Sequence, residues 1–290
     1  MSLALGIFLA FVAMLCWGFG DFLIQKSTRK FGDWNTLFII SGIGAIVLFP
    51  FISKDLPSLM EDNRSLLLLG ASSLVLLFAS ILDFEALKEG KIAVVEPIWS
   101  LEITVAIIFS VIILNEQLSL TQYALIGAIV VGLFCVSLRS KQINKKVWLE
   151  KGVIVALIAA AFMGLANFMT GFSARETNPL LTIWFLHGGI AIASFLVIVA
   201  KGYTKNLVKS FKKGKKLILS MSILDNSAWI AFAFAMTLAP ISITVALSES
   251  YIIIAVLLGM YVNKEFLRKH QKIGLIIAVI SAISLAAITI

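Results

Sequence analysis

Charged side chains are scarce in this sequence. Asp, Glu, Lys and Arg make up 14% of the 290 residues, against about 25% in soluble globular domains, while 60% of the residues are apolar. One core cannot bury that much apolar surface in a chain of this length, so lipid must cover the remainder. The low charge content therefore excludes a soluble protein.

Cysteine is also scarce, and the motifs of several enzyme classes are missing. The two cysteines, Cys16 and Cys135, lie inside apolar runs and give neither a disulfide framework nor a metal-ligand spacing. The sequence has no HExxH or GxSxG pattern, which counts against an intramembrane hydrolase, and no GxxxxGK loop, which counts against ATP-driven pumping by this chain alone. We expect no cofactor, no metal and no enzymatic activity.

What the sequence does contain is ten long apolar runs. A membrane-spanning helix needs about 20 mostly apolar residues, and ten such segments follow one another with short connections. The predicted spans are 3–25, 34–52, 65–87, 92–114, 120–138, 152–172, 180–200, 217–238, 241–262 and 270–289. No basic segment of the kind that opens a cleaved signal precedes the first span, so we expect that span to be retained. The sequence thus predicts an all-α integral membrane protein.

The basic residues indicate an orientation. Of the 24 Lys and Arg residues, all but Lys54, Arg64 and Arg175 lie in or beside the loops after the odd-numbered spans. Cytoplasmic loops carry the excess of Lys and Arg, so we predict that the odd-numbered loops are cytoplasmic and that both termini lie outside. This also explains the net charge of +8 without a nucleic-acid partner. Compact loops and missing targeting segments favour the inner or plasma membrane of a prokaryote.

The two halves of the sequence resemble each other. A shift of 149 residues pairs Glu116 with Glu265 within a longer aligned stretch. A shift of 146 residues aligns "LCWGFGDF" with "AFMGLANF" and pairs Asp21 with Asn167. The two matches occur in the same order along each half, and they are separated by the same number of spans.

This repeat predicts the domain organisation. Each half holds five spans, which is an odd number, so the second half must enter the membrane from the opposite side. We therefore predict two inverted five-helix repeats, 1–138 and 152–290, joined by a cytoplasmic linker at 139–151. Inverted repeats are an architecture of secondary transporters, in which a central site opens alternately to either side.

These features resemble a known family. The two five-span halves, "CWGFGDF" in the first span, and the endings "ILNEQLSLTQYALIGAIVVGL" and "YVNKEFLRKHQKIGLIIAVIS" are similar to the EamA family of the drug/metabolite transporter superfamily. The resemblance extends over essentially the whole chain. It implies that the substrate path runs between spans 1, 3 and 4 of one half and spans 6, 8 and 9 of the other. Glu96 and Glu102 in the fourth span depart from the family pattern, so other members' substrates are a poor guide.

Seven carboxyl groups fall within the predicted spans, with no Lys or Arg at the same depth. They are Asp21, Asp83, Glu85, Glu96, Glu102, Asp225 and Glu249. A buried acid normally pairs with a basic residue, coordinates a cation or stays protonated, and the missing bases favour the last two. Glu102, Glu249 and Asp225 lie deepest, so we predict that they bind substrate and proton. The alternative is structural hydrogen bonding between helices.

The other four acids lie one or two turns from the predicted cytoplasmic ends of their spans. Lysines at those ends could reach them, so the sequence leaves an interfacial role open, and it favours that role for Glu85. Asp21 and Glu96 are nevertheless kept among the candidate site residues, whereas Asp83 is not.

Aromatic residues accompany the acids. They lie at helical spacing from an acid, or align with one across the repeat, and they are Trp17, Trp99, Trp229 and Tyr251. A carboxylate beside an aromatic face suits an organic cation. The alternative, which remains open, is that the tryptophans fill gaps between helices.

Other polar residues are predicted to be structural. His187, midway along the seventh span, is better explained as a satisfied polar contact than as a proton relay. Glu116 and Glu265 lie at span ends and are not predicted to bind substrate. Ser119 and Gln122 have the spacing of a capping box at the start of the fifth span.

The sequence predicts a secondary-active transporter that moves a small organic solute by alternating access. A cationic or zwitterionic metabolite, with proton coupling, fits the acids best. The alternatives are an exporter of neutral amino acids or related metabolites with structural carboxyl groups and, with less support, an intramembrane enzyme or a channel. Two inverted halves suffice for one path, so both a monomer and a homodimer are compatible with the sequence.

Overall fold

The computed structural model describes residues 2–89, 97–138, 151–262, 264 and 266–290, and all regular secondary structure in these ranges is helical. The helices are α1 (Ser2–Phe31), α2 (Asp33–Ile52), α3 (Leu56–Glu61), α4 (Asn63–Glu89), α5 (Leu101–Leu114), α6 (Leu120–Ser137), α7 (Lys151–Glu176), α8 (Pro179–Ala200), α9 (Thr204–Leu238), α10 (Ile241–Ser248), α11 (Tyr251–Val262) and α12 (Lys269–Thr289).

Ten segments of the described chain are long and apolar enough to cross a membrane. They are Ser2–Thr28, Asp33–Ile52, Asn63–Asp83, Pro97–Leu114, Leu120–Ser137, Lys151–Glu176, Pro179–Ala200, Gly214–Leu238, Ile241–Val262 and Lys269–Thr289. The ten predicted spans are confirmed, and most bounds differ by only a few residues. The ninth span consists of two helices, α10 and α11, and the short helix α3 lies in the connection after the second span.

The helices of the two halves interleave. α1 packs mainly on α9 and, five spans later, α7 packs mainly on α4, while α2 pairs with α8 and α6 pairs with α12. The fourth span, α5, packs on α7, and its counterpart, formed by α10 and α11, packs on α1. Each contact therefore recurs with the halves exchanged, and the largest buried apolar cluster draws residues from both halves.

The antiparallel pair α6 and α12 shows that the second half is inverted. Gln122, in the first turn of α6, donates a hydrogen bond to the hydroxyl of Thr289 at the end of α12 over 3.3 Å. Gln271, in the first turn of α12, donates to the carbonyl of Val136 at the end of α6 over 2.9 Å. The start of each helix thus meets the end of the other, as two inverted repeats require.

The same two glutamines also cap their own helices. Gln122 Oε1 accepts a hydrogen bond from the backbone N–H of Ser119 over 2.9 Å, and the Ser119 hydroxyl accepts one from the N–H of Gln122 over 3.2 Å. The predicted capping box is therefore confirmed. At the equivalent position in the second half, Gln271 Oε1 accepts from the N–H of Arg268 over 3.0 Å.

Two glycines allow α6 and α12 to approach closely. A Cβ atom added to Gly132 would lie 2.7 Å from the backbone nitrogen of Ala278 and 2.8 Å from the carbonyl oxygen of Gly274. A Cβ atom added to Gly274 would lie 2.7 Å from the carbonyl oxygen of Gly132. Helices in lipid associate through van der Waals packing and hydrogen bonds, so this backbone contact holds the two halves together.

We expect Gly132→Ala to destabilise the protein, because the new methyl group would meet backbone atoms that cannot rotate away. Overpacking of this kind costs about 1–3 kcal/mol in the free energy of unfolding. The measurement is thermal unfolding of the purified protein in detergent. Gly127→Ala is the matched control, since Gly127 lies on the same helix with open space around it. Equal melting temperatures for the two variants would contradict the close packing of α6 on α12.

Candidate functional site

The fourth and ninth spans are interrupted at equivalent positions. Glu249 and Ser250 form a turn between α10 and α11, and Ser100 forms a turn that separates the first helical residues of the fourth span from α5. Under the 149-residue shift Ser100 aligns with Glu249, so the same position is interrupted in both halves. Both residues keep right-handed helical dihedral angles, with φ −59° and ψ −16° at Ser100 and φ −69° and ψ −9° at Glu249, so the backbone tightens into a turn there without unwinding. The sequence had predicted two continuous spans here.

A pair of glutamates lies at these interruptions. Glu102, in the first turn of α5, and Glu249 are each 6% exposed, and their carboxyl groups are hydrogen-bonded to each other. Asn167 of α7 donates a further hydrogen bond from Nδ2 to Glu249 Oε1 over 3.0 Å. Two carboxylates offer only acceptors, so a hydrogen bond between them requires a proton on one of them.

Two aspartates lie near the glutamate pair, and a third lies near one of these aspartates. Asp21 and Asp83 both lie in electrostatic range of Glu102 and Glu249. Asp225 lies in range of Asp21. These residues form what we call the acid cluster: Asp21, Asp83, Glu102, Asn167, Asp225 and Glu249. Its members come one each from spans 1, 3, 4, 6, 8 and 9, which are the spans that the family resemblance implies for the substrate path.

Asp21 lies deeper than its position in the sequence indicated. The first span was predicted to end at residue 25, but α1 continues to Phe31, so Asp21 lies nearly three turns before the end of its helix. Asp21 lies in electrostatic range of both glutamates, and α1 packs on the helices α10 and α11 that flank Glu249. Glu85 differs from it, because its side chain is 42% exposed and pairs with Lys151 over 3.7 Å. That contact fits the interfacial role expected for Glu85.

Two members of the acid cluster were not among the predicted site residues. Asp83 has a buried Oδ1 atom with no hydrogen-bond partner among the described residues. The sequence contained a signal for Asp83. No Lys or Arg lies three or four residues from it on the same helix face, so its own helix offers no basic partner. Asn167 was identified only as the repeat counterpart of Asp21. That pairing was the available signal, since it placed a second polar residue at an equivalent depth.

Three of the four predicted aromatic residues form one group beside the acid cluster. Trp17 meets Trp229 edge to face, with 5.2 Å between ring centroids, and lies 6.3 Å from the ring of Tyr251. Phe232 packs on both tryptophans. Tyr251 also lies in electrostatic range of Asp21 and of both glutamates. The group provides an aromatic wall next to carboxyl groups.

The remaining predicted residues lie apart or outside the described chain. Trp99 packs against a separate apolar cluster of Ala86, Ile98 and α7 residues rather than against the other aromatic residues. Its indole Nε1 is buried and has no hydrogen-bond partner in the described ranges. Glu96 lies outside the described residues.

A cavity of about 150 Å³ lies beside Asp225. Its polar and aromatic lining consists of Thr36, Ser41, Ser80, His187, Asp225 and Trp229, and the rest is formed by Met163 and aliphatic side chains. Asp225 is 8% exposed and makes no hydrogen bond with any described residue. The sequence did not predict a cavity, since its walls come from six different spans.

His187 lines this cavity with its hydrogen bonding partly satisfied. Its Nδ1 lies 3.0 Å from Asn226 Oδ1, and Asn226 Nδ2 donates to the carbonyl groups of Ile40 and Ser222. Because Asn226 presents its oxygen, Nδ1 of His187 carries the proton in this network. The predicted structural contact of His187 is confirmed, and its Nε2 is left as the acceptor.

Glu116 connects the two halves away from the acid cluster. It accepts hydrogen bonds from the N–H groups of Ile241 and Ser242 at the start of α10, over 2.7 and 3.0 Å, and from the Ser242 hydroxyl over 2.8 Å. Arg175 lies 3.2 Å from Glu116 and donates to two carbonyl groups at the end of α9, over 2.7 and 2.8 Å. These contacts give Glu116 a structural role between the halves, and Glu265 lies outside the described residues.

Comparisons with known proteins bear on the whole chain. The model of the EamA-like transporter family matches residues 4–138 and 150–287. An uncharacterized protein of Methanocaldococcus jannaschii is 25% identical over 135 residues, which cover 46% of this chain and 96% of that protein. That relative therefore has about the length of one half. The crystal structure of another protein superimposes on this chain with a TM-score of 0.75 at 15% sequence identity. The match covers 98% of this chain and 95% of the other. This similarity shows that the two proteins share a fold.

We expect Glu116→Ala to destabilise the protein, because it leaves the first N–H groups of α10 and the guanidinium of Arg175 without their acceptor. The loss of a buried acceptor costs about 1–3 kcal/mol in the free energy of unfolding. The measurement is again thermal unfolding in detergent. Glu176→Ala is the control, since Glu176 pairs with Arg64 at the surface and such exposed pairs contribute at most about 1 kcal/mol. A larger effect of Glu176→Ala would contradict this account.

Proposed function

The chain belongs to the EamA-like transporter family, and on that premise we propose that it moves a small cationic or zwitterionic organic solute by alternating access, coupled to protons. Membership makes it a multi-pass membrane transporter of small solutes. One observation carries the more specific proposal: five carboxyl groups meet in the acid cluster, at the interruption of the ninth span.

The charge of the acid cluster supports a cationic solute. A single ionised carboxylate at bilayer depth costs at least about 2.5 kcal/mol, so five together require protons or cations. The hydrogen bond between Glu102 and Glu249 accounts for one proton. Asp21, Asp83 and Asp225 still need neutralising partners. Trp17, Trp229 and Tyr251 pack edge to face beside the carboxyl groups, and Trp229 also lines the cavity at Asp225, where its ring can attract an organic cation.

The position of the acid cluster supports alternating access. Glu102 belongs to the first half and Glu249 to the second, so their hydrogen bond crosses between the halves. In an inverted-repeat transporter the halves rock against each other around a fixed central site. We propose that Glu102, Glu249 and Asp225 bind solute and proton in competition, with Asp21 beside them. Trp99 and Glu96 stay sequence-based predictions.

The membrane orientation is also part of the proposal. The distribution of Lys and Arg supports cytoplasmic odd-numbered loops, outside termini and a prokaryotic inner membrane. With these assignments we propose that the segment 139–151, of which residues 139–150 lie outside the described ranges, is a cytoplasmic linker between the repeats 1–138 and 152–290. One chain contributes all six members of the acid cluster, which supports a functional monomer.

A second candidate function is export of neutral amino acids or related metabolites, with carboxyl groups that act as scaffolding. The observation in its favour is that the glutamates already have partners. Glu102, Glu249 and Asn167 satisfy one another through hydrogen bonds that need no ligand. Under this alternative the aspartates would hold protons permanently, and solute binding would release none.

Proton release on solute binding separates the two candidates. Purified protein in weak buffer would be mixed with quaternary ammonium compounds, polyamines, basic amino acids or neutral amino acids, and the change in pH would be recorded. We expect one class of cation to release protons, and we expect Glu102→Gln or Glu249→Gln to abolish the release, because each variant breaks the proton-sharing pair. Glu61→Gln, at an exposed position outside the spans, is the matched control.

Two outcomes would contradict the proposed function. Heat of binding from a neutral amino acid without proton release would favour the exporter of neutral metabolites. Normal transport in proteoliposomes by both glutamine variants, with unchanged pH dependence, would show that the glutamates carry neither solute nor proton.

A further inference from the structure

We propose that solute and proton occupy different carboxyl groups: the cationic group of the solute binds Asp225 in the adjoining cavity, and the coupling proton resides on the Glu102–Glu249 pair. The inference rests on the proposed function and refines it, since competition at a shared carboxyl group is replaced by coupling between two sites. Three observations support it: the free carboxyl group of Asp225, the lining of the cavity, and the position of Asp21.

Asp225 is available to a ligand in a way that the glutamates are not. It is more than nine-tenths buried, it lines the cavity, and no described residue forms a hydrogen bond with it. A buried carboxyl group without a partner is costly unless a ligand or a proton supplies one. Glu102 and Glu249 instead bond to each other and to Asn167, and neither lines this cavity.

The size and lining of the cavity indicate the class of solute. A cavity of about 150 Å³ has room for a molecule the size of benzene. Trp229, one turn along α9 from Asp225, supplies an aromatic face, and Thr36, Ser41 and Ser80 supply hydroxyl groups. The remaining walls are largely aliphatic. The lining fits a monoamine with a compact hydrocarbon body of about six or seven heavy atoms.

The glutamate pair suits a proton better than an organic cation. Its two carboxyl groups already share a proton through their hydrogen bond, and the Asn167 amide holds Glu249 in place. The titratable groups that face the pair are Asp21 from α1, Asp83 from α4 and Tyr251 from α11. Asp225 from α9 acts on Asp21. Asp21 and Asp83 add negative charge beside the pair when they are ionised, and Asp225 adds negative charge beside Asp21.

Asp21 connects the two sites. It lies in electrostatic range of Asp225 and of both glutamates. An ammonium group bound to Asp225 reduces the negative potential around Asp21, and this makes loss of the shared proton to water easier. The charges balance, because one cation enters as one proton leaves. Proton loss also removes the hydrogen bond between Glu102 and Glu249, which joins the two halves.

The test uses the full chain in detergent with cyclohexylammonium as the probe and cyclohexanol as its uncharged counterpart. Binding is measured by calorimetry, and proton release is measured in weak buffer. We expect Asp225→Asn to weaken cyclohexylammonium binding about tenfold to hundredfold, as the loss of a charge-assisted hydrogen bond would. We expect the double variant Glu102→Gln/Glu249→Gln to bind the probe with little change but to release no proton. In the wild type, cyclohexanol should bind more weakly than cyclohexylammonium. In Asp225→Asn this difference should disappear.

Controls separate a site effect from misfolding. Asp55→Asn changes a carboxyl group outside the spans and should leave both readouts unchanged. Asp225→Glu should restore part of the binding that Asp225→Asn loses, and a melting temperature for each variant identifies any that fails to fold.

The outcomes also separate this inference from the proposed function. If the wild type binds the cation and releases a proton, but Asp225→Asn still binds normally while the glutamine variants do not, the proposed function stands and the division between two sites is overturned. If no cation of the panel binds to the wild type at all, the proposed function itself fails and this inference fails with it.

Discussion

A carboxyl group at bilayer depth needs a proton or a positive charge at the same depth, and much of this structure depends on that constraint. The spans bring their acidic side chains close to one another; they do not pair each acid with a Lys or Arg. Grouped in this way, Glu102 and Glu249 hydrogen-bond to each other, and Asn167 gives one of them a further donor. Asp21 lies in electrostatic range both of that pair and of Asp225 at the cavity.

Convergence of the acids requires helices from both halves to interleave. Asp83 reaches the centre because α4 packs on α7 of the other half, and Asp21 reaches it because α1 packs on α9 and α11. Lipid gives no hydrophobic driving force for these contacts, so close packing and hydrogen bonds must hold them. Gly132 and Gly274 allow close packing at the α6–α12 contact, and Gln122 and Gln271 form the hydrogen bonds there.

Sequence reasoning predicted the features that local patterns determine. Apolar run length located the ten spans, the spacing of Ser119 and Gln122 located a helix start, and the repeat predicted the inversion. It could not predict features that depend on which helices touch. The depth of Asp83 depends on the packing of α4, and Trp99 separates from the other aromatic residues because the fourth span packs on α7. The turn at Glu249 has no proline or glycine to mark it, so the ninth span was predicted as continuous.

The contact between Glu116 and α10 has a consequence for biosynthesis. Glu116 follows the fourth span, in the first half, yet the N–H groups that it caps belong to Ile241 and Ser242, which the ribosome adds more than a hundred residues later. Glu249, the hydrogen-bond partner of Glu102, is likewise synthesised long after it. The first five spans must therefore enter the membrane before the ninth span supplies the N–H groups that Glu116 caps and the carboxyl group that Glu102 contacts. The two halves cannot mature one after the other, and folding is completed late, as a single joint event.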